Sequence, residues 1–116
     1  MAAIIFSFNW NNKLDNKAFT TIRLRNDSLF KEYEVYEIFH NSEKAGVKHS
    51  EFKGLARIES IKNIYLSQVN SFISFLDTGY SVDEFTKLVK TMYKNRVKDW
   101  TKQQLSLILL VKEGKK

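Results

Sequence analysis

The 116-residue chain reads as a single α+β domain on a mostly antiparallel, barrel-like sheet. Three observations lead there. Four short runs of β-branched, aromatic and aliphatic residues fill the first half, separated by Asn-, Asp- and Gly-containing stretches. The apolar spacing then switches from the period of a strand to that of a helix. A last apolar run, Leu107 to Val111, returns to strand length. With no Pro, four scattered Gly and no internal repeat, nothing divides residues 1–116 into smaller units.

Ala3 to Phe8 carries Ile4, Ile5, Phe6 and Phe8 in a run too short for a helix, and reads as a buried first strand. Asn9 to Asn16 is polar, with the Asn/Asp chemistry of a turn. Phe19 to Arg25 follows as a strand that puts Thr21, Arg23 and Arg25 on one side and Ile22 and Leu24 on the other. Asn26, Asp27 and Ser28 close it. Tyr33 to Phe39 interleaves apolar residues with Glu34 and Glu37, His40 to Ser50 reads as a hairpin loop, and Phe52 to Ile61 resumes the strand pattern. Gly54 and Ala56 leave room on one face of that strand for a backbone or a ligand.

Leu66, Val69, Ile73 and Leu76 fit one face of a helix over about 66–76, which Asp77 to Tyr80 breaks. Ser81 and Glu84 then form the S-x-x-E pattern of a capping box. It opens a second helix over 82–94, with Phe85, Leu88, Val89, Met92 and Tyr93 along one stripe. Leu105 to Val111 is the final strand.

Charge is unevenly placed. The net charge is +6, yet residues 1–85 hold 10 basic and 11 acidic side chains, whereas 86–116 hold 9 and 2. The whole excess lies in the last quarter. Lys87, Lys90 and Lys94 are spaced for one helical side, and Arg96, Lys98 and Lys102 follow them. Such a surface can track phosphates, and the interleaved Tyr93 and Trp100 can stack on unpaired bases. The same lysines are also what a solvated helix face carries, and such a face could equally meet an acidic protein partner.

The absence of Cys excludes disulfides, thiolate zinc sites and cysteine nucleophiles. Two His, at 40 and 49, flank the expected hairpin loop and offer little to a metal. No apolar run approaches the roughly 20 residues that span a bilayer, and residues 1–8 lack a signal-peptide pattern. The expectation is a cytoplasmic protein without cofactor or metal. Phosphate-loop, dinucleotide and zinc-protease motifs are missing. The chemistry is concentrated in Lys17 to Arg25, where Lys17, Arg23 and Arg25 donate to anions and Thr20 and Thr21 donate or accept.

This segment resembles the ASCH domain family of the PUA-like superfamily. Lys17 and Thr20-Thr21-Ile22-Arg23, then Tyr33 to Ile38, Gly54-Leu55-Ala56-Arg57-Ile58, and Leu76 to Phe85 with Tyr93 carry the resemblance from about residue 4 to 111. It implies a small β-barrel with flanking helices and a cleft for RNA or a nucleobase. It also implies a second activity. Some small members are amidohydrolases that deacylate a modified cytidine of the N4-acetylcytidine kind, using a Lys and a Thr of a K-x-x-T-x-R segment and a later Glu. Thr21 and Arg23 keep the T-x-R part, but Ala18 stands where the lysine belongs, one residue after Lys17. Lys17 and Thr20 keep the K-x-x-T spacing, which a one-residue bulge would serve. Thr78 falls at the place of the acid, with Asp77 beside it. The expected nucleic-acid contacts are thus Lys17, Thr21, Arg23, Arg25, Lys87, Lys90, Lys94, Arg96, Lys98 and Trp100. The expected catalytic set is Lys17, Thr20, Thr21 and Asp77.

Overall fold

The computed structural model describes residues 2–113. Five strands, β1 (Ala3–Phe6), β2 (Ala18–Leu24), β3 (Val35–Lys44), β4 (Val47–Tyr65) and β5 (Gln104–Lys112), form one sheet in the order β1-β3-β4-β5-β2. Only the β1–β3 pairing is parallel; the other three are antiparallel. Two helices, α1 (Ser71–Thr78) and α2 (Val82–Met92), lie between β4 and β5. The edge strands β1 and β2 share no backbone ladder, so the sheet is curled but not closed by hydrogen bonds into a barrel.

Two cores follow from the alternation of side chains across the strands. Ile108 and Leu110 of β5 join Ile4, Ile38 and Ile58 in the first, and Leu105 joins Ile64, Phe85 and Val89 in the second. Ile22 and Leu24 pack against the second core, as their register on β2 requires. Tyr36 is wholly buried, and its hydroxyl donates to Leu29 O (2.7 Å) and accepts from Lys31 N (2.8 Å). Those two bonds fasten the β2–β3 connection to the sheet.

The expected hairpin loop over 40–50 is instead ladder. Pairing continues from His40–Glu51 to Lys44–Val47, leaving Ala45 and Gly46 as a two-residue turn. Both have positive φ (52° and 77°), the type I′ geometry that matches strand twist. Polar side chains hid the strand because a hairpin exposed on both faces has no apolar alternation. Gly54, at φ 107°, sits at a register shift where Lys53 is the extra residue opposite Ile38 and Phe39. Its role is the bulge.

Two further elements differ from expectation. Residues 9–16 are not a turn: Trp10–Asp15 is a 3-10 helix, braced by the Asn9 side chain accepting from Leu14 N (2.9 Å). Its Leu14 is fully buried in the first core, worth about 1.5–3 kcal/mol of transfer free energy. The helix expected over 66–76 is split. Leu66–Gln68 is a 3-10 turn, and the Asn70 side chain accepts from Ile73 N (2.9 Å) to start α1 afresh. Leu66 and Val69 are therefore core, while Phe72 and Leu76 are exposed. The capping box of Ser81 and Glu84 forms as expected, and α2 ends at Met92, leaving Lys94 beyond the helix.

Candidate functional site

The groups that converge lie where the edge strands approach one another. Phe6 of β1 and Phe19 of β2 meet edge to face at 5.8 Å. Arg23 spans the same seam: its Nη2 donates to Ile5 O (2.7 Å) and its Nε to Thr21 Oγ1 (3.1 Å). The guanidinium also lies 4.7 Å from the centre of the Phe6 ring, a cation–π contact. Burial lowers the pKa of Arg23, opposed by Tyr93 and Asp77 nearby.

Asp77, in the last turn of α1, is buried and faces the 3-10 helix. Lys13 Nζ donates to its Oδ1 (3.0 Å) and to its backbone O (2.9 Å), and Thr20 Oγ1 donates to the same Oδ1 (2.8 Å). Both ionic side chains are about 5% exposed or less. Burial pulls Lys13 below the ordinary lysine range, against the opposing attraction of Asp77. The ammonium has three donors, and two go to Asp77. Phe6 and Trp10 present ring faces 5.7 and 5.6 Å from Nζ.

Hydroxyls tie down the end of α1 that carries Asp77. Ser74 Oγ shares its one proton between Tyr80 O (2.6 Å) and Ser81 O (3.0 Å), Thr78 Oγ1 donates to Ser74 O (3.0 Å), and Tyr80 N donates to Thr78 Oγ1 (3.1 Å). Gly79 supplies the left-handed turn (φ 82°) that ends α1. Thr78, at the expected place of the acid, is thus committed to the α1–α2 link.

Beside these groups lies a cavity of about 120 Å³ between β2, α2 and the chain leaving β1. Thr21, Arg23 and Asp77, with Ser7 and Tyr93, are its polar lining; Phe6, Trp10 and Phe85 are among its apolar lining. A cavity of about 150 Å³ accepts benzene, so this one is the size of a single six-membered ring. Phe8 stacks on Trp10 at 5.0 Å, and Trp10 Nε1 donates to Tyr80 Oη at 3.4 Å. Aromatic surface therefore continues outward from the cavity.

Of the expected residues, Thr21, Arg23 and Asp77 line the cavity together, and Thr20, outside its lining, joins them through its bond to Asp77 Oδ1. Lys17 does not join them. It is exposed, with no side-chain hydrogen bond or ion pair among the described residues, and the lysine bonded to Asp77 is Lys13. No bulge in β2 is needed, since β2 pairs with β5 without a register shift. Arg25 is also outside the cavity, exposed and paired with Asp27 (2.9 Å) and the Gln104 side chain. Trp100 is half-buried against the second core and packs on Tyr93 at 6.4 Å. Lys87, Lys90, Lys94, Arg96 and Lys98 are exposed, and none has a carboxylate within 4.0 Å among the described residues.

The residue missed by reading the sequence is Lys13. Trp10 and Leu14, four apart, mark a helical turn inside the Asn-rich stretch, and Lys13 sits within it. Among the described residues no three His, Asp or Glu gather as a metal site, and no helix is long and apolar enough to cross a membrane. Compared with protein-family models, curated proteins and solved structures, the chain matches none of them.

Proposed function

We propose that the chain is a PUA-like domain of ASCH type, its barrel open at the β1–β2 seam, and that it binds a nucleoside or an unpaired RNA base. The observation that carries this reading is the convergence of Thr21, Arg23 and Asp77 on a ring-sized cavity. Amide, carbonyl and ring-nitrogen edges of a pyrimidine offer both donors and acceptors. Arg23 can donate to a carbonyl, the Asp77 carboxylate can accept from an exocyclic amine, and Thr21 can do either. Aromatic walls take the ring faces. The exposed cations at 87–98 would attract the phosphates of a strand.

Titration of the protein with cytidine, followed by Trp10 fluorescence and amide shifts of β2, is expected to perturb Thr21, Arg23 and Asp77 together. Thr21→Val should weaken that binding about tenfold by leaving a polar edge unpaired. Absence of any shift at millimolar cytidine and with single-stranded RNA at low salt would overturn the reading.

One observation favours a second reading, an amidohydrolase acting on an acylated cytidine: the Asp77 carboxylate lines the cavity and is bonded to the buried Lys13 ammonium behind it. The Asp77 carboxylate, which lines the cavity and is held by Lys13, would take a proton from water as the oxygen adds to the acyl carbonyl, and return it to the departing amine nitrogen. Release of acetate from N4-acetylcytidine, retained in Lys17→Ala and lost in both Lys13→Met and Asp77→Asn, is the expected result. Turnover that survives Asp77→Asn would sink it.

A further inference from the structure

A second hollow, of about 220 Å³, shares Arg23 and Tyr93 with the ring-sized cavity and is lined additionally by Arg25, Asn26 and Arg96. Three arginines line it and no Asp or Glu does. Asp27 offsets one of the charges by pairing with Arg25 from outside the lining. The local excess is therefore close to two positive charges. Such an excess suits a dianionic group.

The donors are available. Arg23 commits Nε and one Nη2 proton, and a guanidinium has five N–H donors in a planar fork, so its Nη1 edge remains. Arg96 makes no side-chain hydrogen bond or ion pair among the described residues. Arg23 is held rigid by Ile5 O and Thr21, so ordering it costs little when an anion arrives. Arg23 and Tyr93 line both hollows, so the two are neighbours, and the ribose of a nucleotide would join a ring in the first to an anion in the second.

We propose that the Arg23–Arg25–Arg96 hollow is a phosphate subsite, and that the preferred ligand is a phosphorylated pyrimidine nucleotide rather than the free nucleoside. This rests on the assignment of the neighbouring cavity to a base. The ordinary outcome for a surface arginine cluster is screening by salt alone. What distinguishes this one is a partly buried, pre-positioned Arg23 common to both hollows.

Calorimetric titrations with cytidine, cytidine 5′- and 3′-monophosphate and inorganic phosphate test it at low and moderate salt. At least one monophosphate should bind about tenfold or more tightly than cytidine, as expected for charge-assisted hydrogen bonds. Arg96→Gln should erase that advantage and leave cytidine affinity unchanged, whereas Lys62→Gln, on the outer part of β4, should preserve it. Cytidine binding with no gain from either phosphate would overturn the subsite while the base reading stands. Arg96-dependent binding of inorganic phosphate without cytidine binding would support the subsite and overturn the base reading. A phosphate gain equally present in Arg96→Gln would also overturn the subsite.

Discussion

Lys13 and Lys87 carry the same ammonium group into opposite surroundings. Lys13 is sealed between the 3-10 helix and α1, with Asp77 accepting twice and aromatic faces covering it. Lys87 projects from α2 into water, one of a set of cations with no carboxylate partner among the described residues. In the first region every charge is paired, and its contribution depends on geometry: desolvation penalises both ions, and only the hydrogen bonds of Lys13, Thr20 and Asp77 offset it. In the second region nothing depends on geometry, and the cations act as a field. Counting charges along the sequence finds the second region and overlooks the first. If the cavity takes the proposed base, discrimination between ligands falls to the region whose charges are paired.

The largest test of this contrast is removal of one buried partner. Lys13→Met leaves the Asp77 carboxylate buried without its counter-ion, which should cost about 3–5 kcal/mol in urea unfolding. Adding Asp77→Asn should recover a substantial part. Lys17→Ala, on an exposed side chain, should stay within about 0.5 kcal/mol of the wild type. Burial holds the Lys13 pKa below its unfolded value, so between the two values the unfolded chain binds the extra proton. The contribution of Lys13 to stability should then grow as pH rises through that window, toward the unfolded lysine value. Lys13→Met should flatten that slope. Equal stabilities of Lys13→Met and Lys17→Ala would show that the pair is not an element of the fold.

A smaller effect is expected at the exposed start of α2. Ser81→Ala removes the hydroxyl that accepts from Glu84 N (3.2 Å) and should cost about 1 kcal/mol. Glu84 reciprocates by accepting from Ser81 N (3.0 Å), and that bond holds its carboxyl below the ordinary range. The sign is that of a depressed acid: the stabilisation is present above the unfolded glutamate value and is lost as pH falls through the folded one. Glu84→Gln should remove this part of the acid dependence. Urea midpoints measured across the acid limb for both proteins decide it; superimposable slopes would mean the reciprocal bond does not persist in solution.

The same contrast explains what was legible in the sequence. The capping box, the apolar stripe through Phe85 and Val89, and the alternation that separates Thr21 and Arg23 from Ile22 and Leu24 are local patterns, and each appears in the fold. The α1 region was less legible, because Leu66, Val69 and Ile73 keep a helical spacing although Asn70 interrupts the helix to cap a new one. The long hairpin from His40 to Ser50 was hidden because its side chains face water on both sides. Lys13 was hidden for a third reason. Its partner lies 64 residues away, and nothing within the Asn-rich stretch says that the neighbouring turn of chain will be covered by α1. A buried ion pair is a property of topology, and local spacing carries no record of it.

The smallest expected change in stability comes from the exposed cations, and there the comparison is sharpened most. The triple substitution Lys87→Gln, Lys90→Gln, Lys94→Gln removes three charges that touch no carboxylate among the described residues, so unfolding free energy should move by no more than about 0.5 kcal/mol. Its effect should appear in binding to a single-stranded RNA. If all three cations meet phosphates, the slope of log K against log salt should become shallower by about 2, since each contact contributes roughly 0.7. Thr21→Val should do the reverse, weakening affinity at every salt concentration while leaving the slope unchanged. Such a crossed pattern would separate holding from reading on the two surfaces. Were the triple variant to keep the wild-type slope, the charge at 87–94 would be only the solvated face of a helix, and the cavity at Arg23 would have to account for RNA binding unaided.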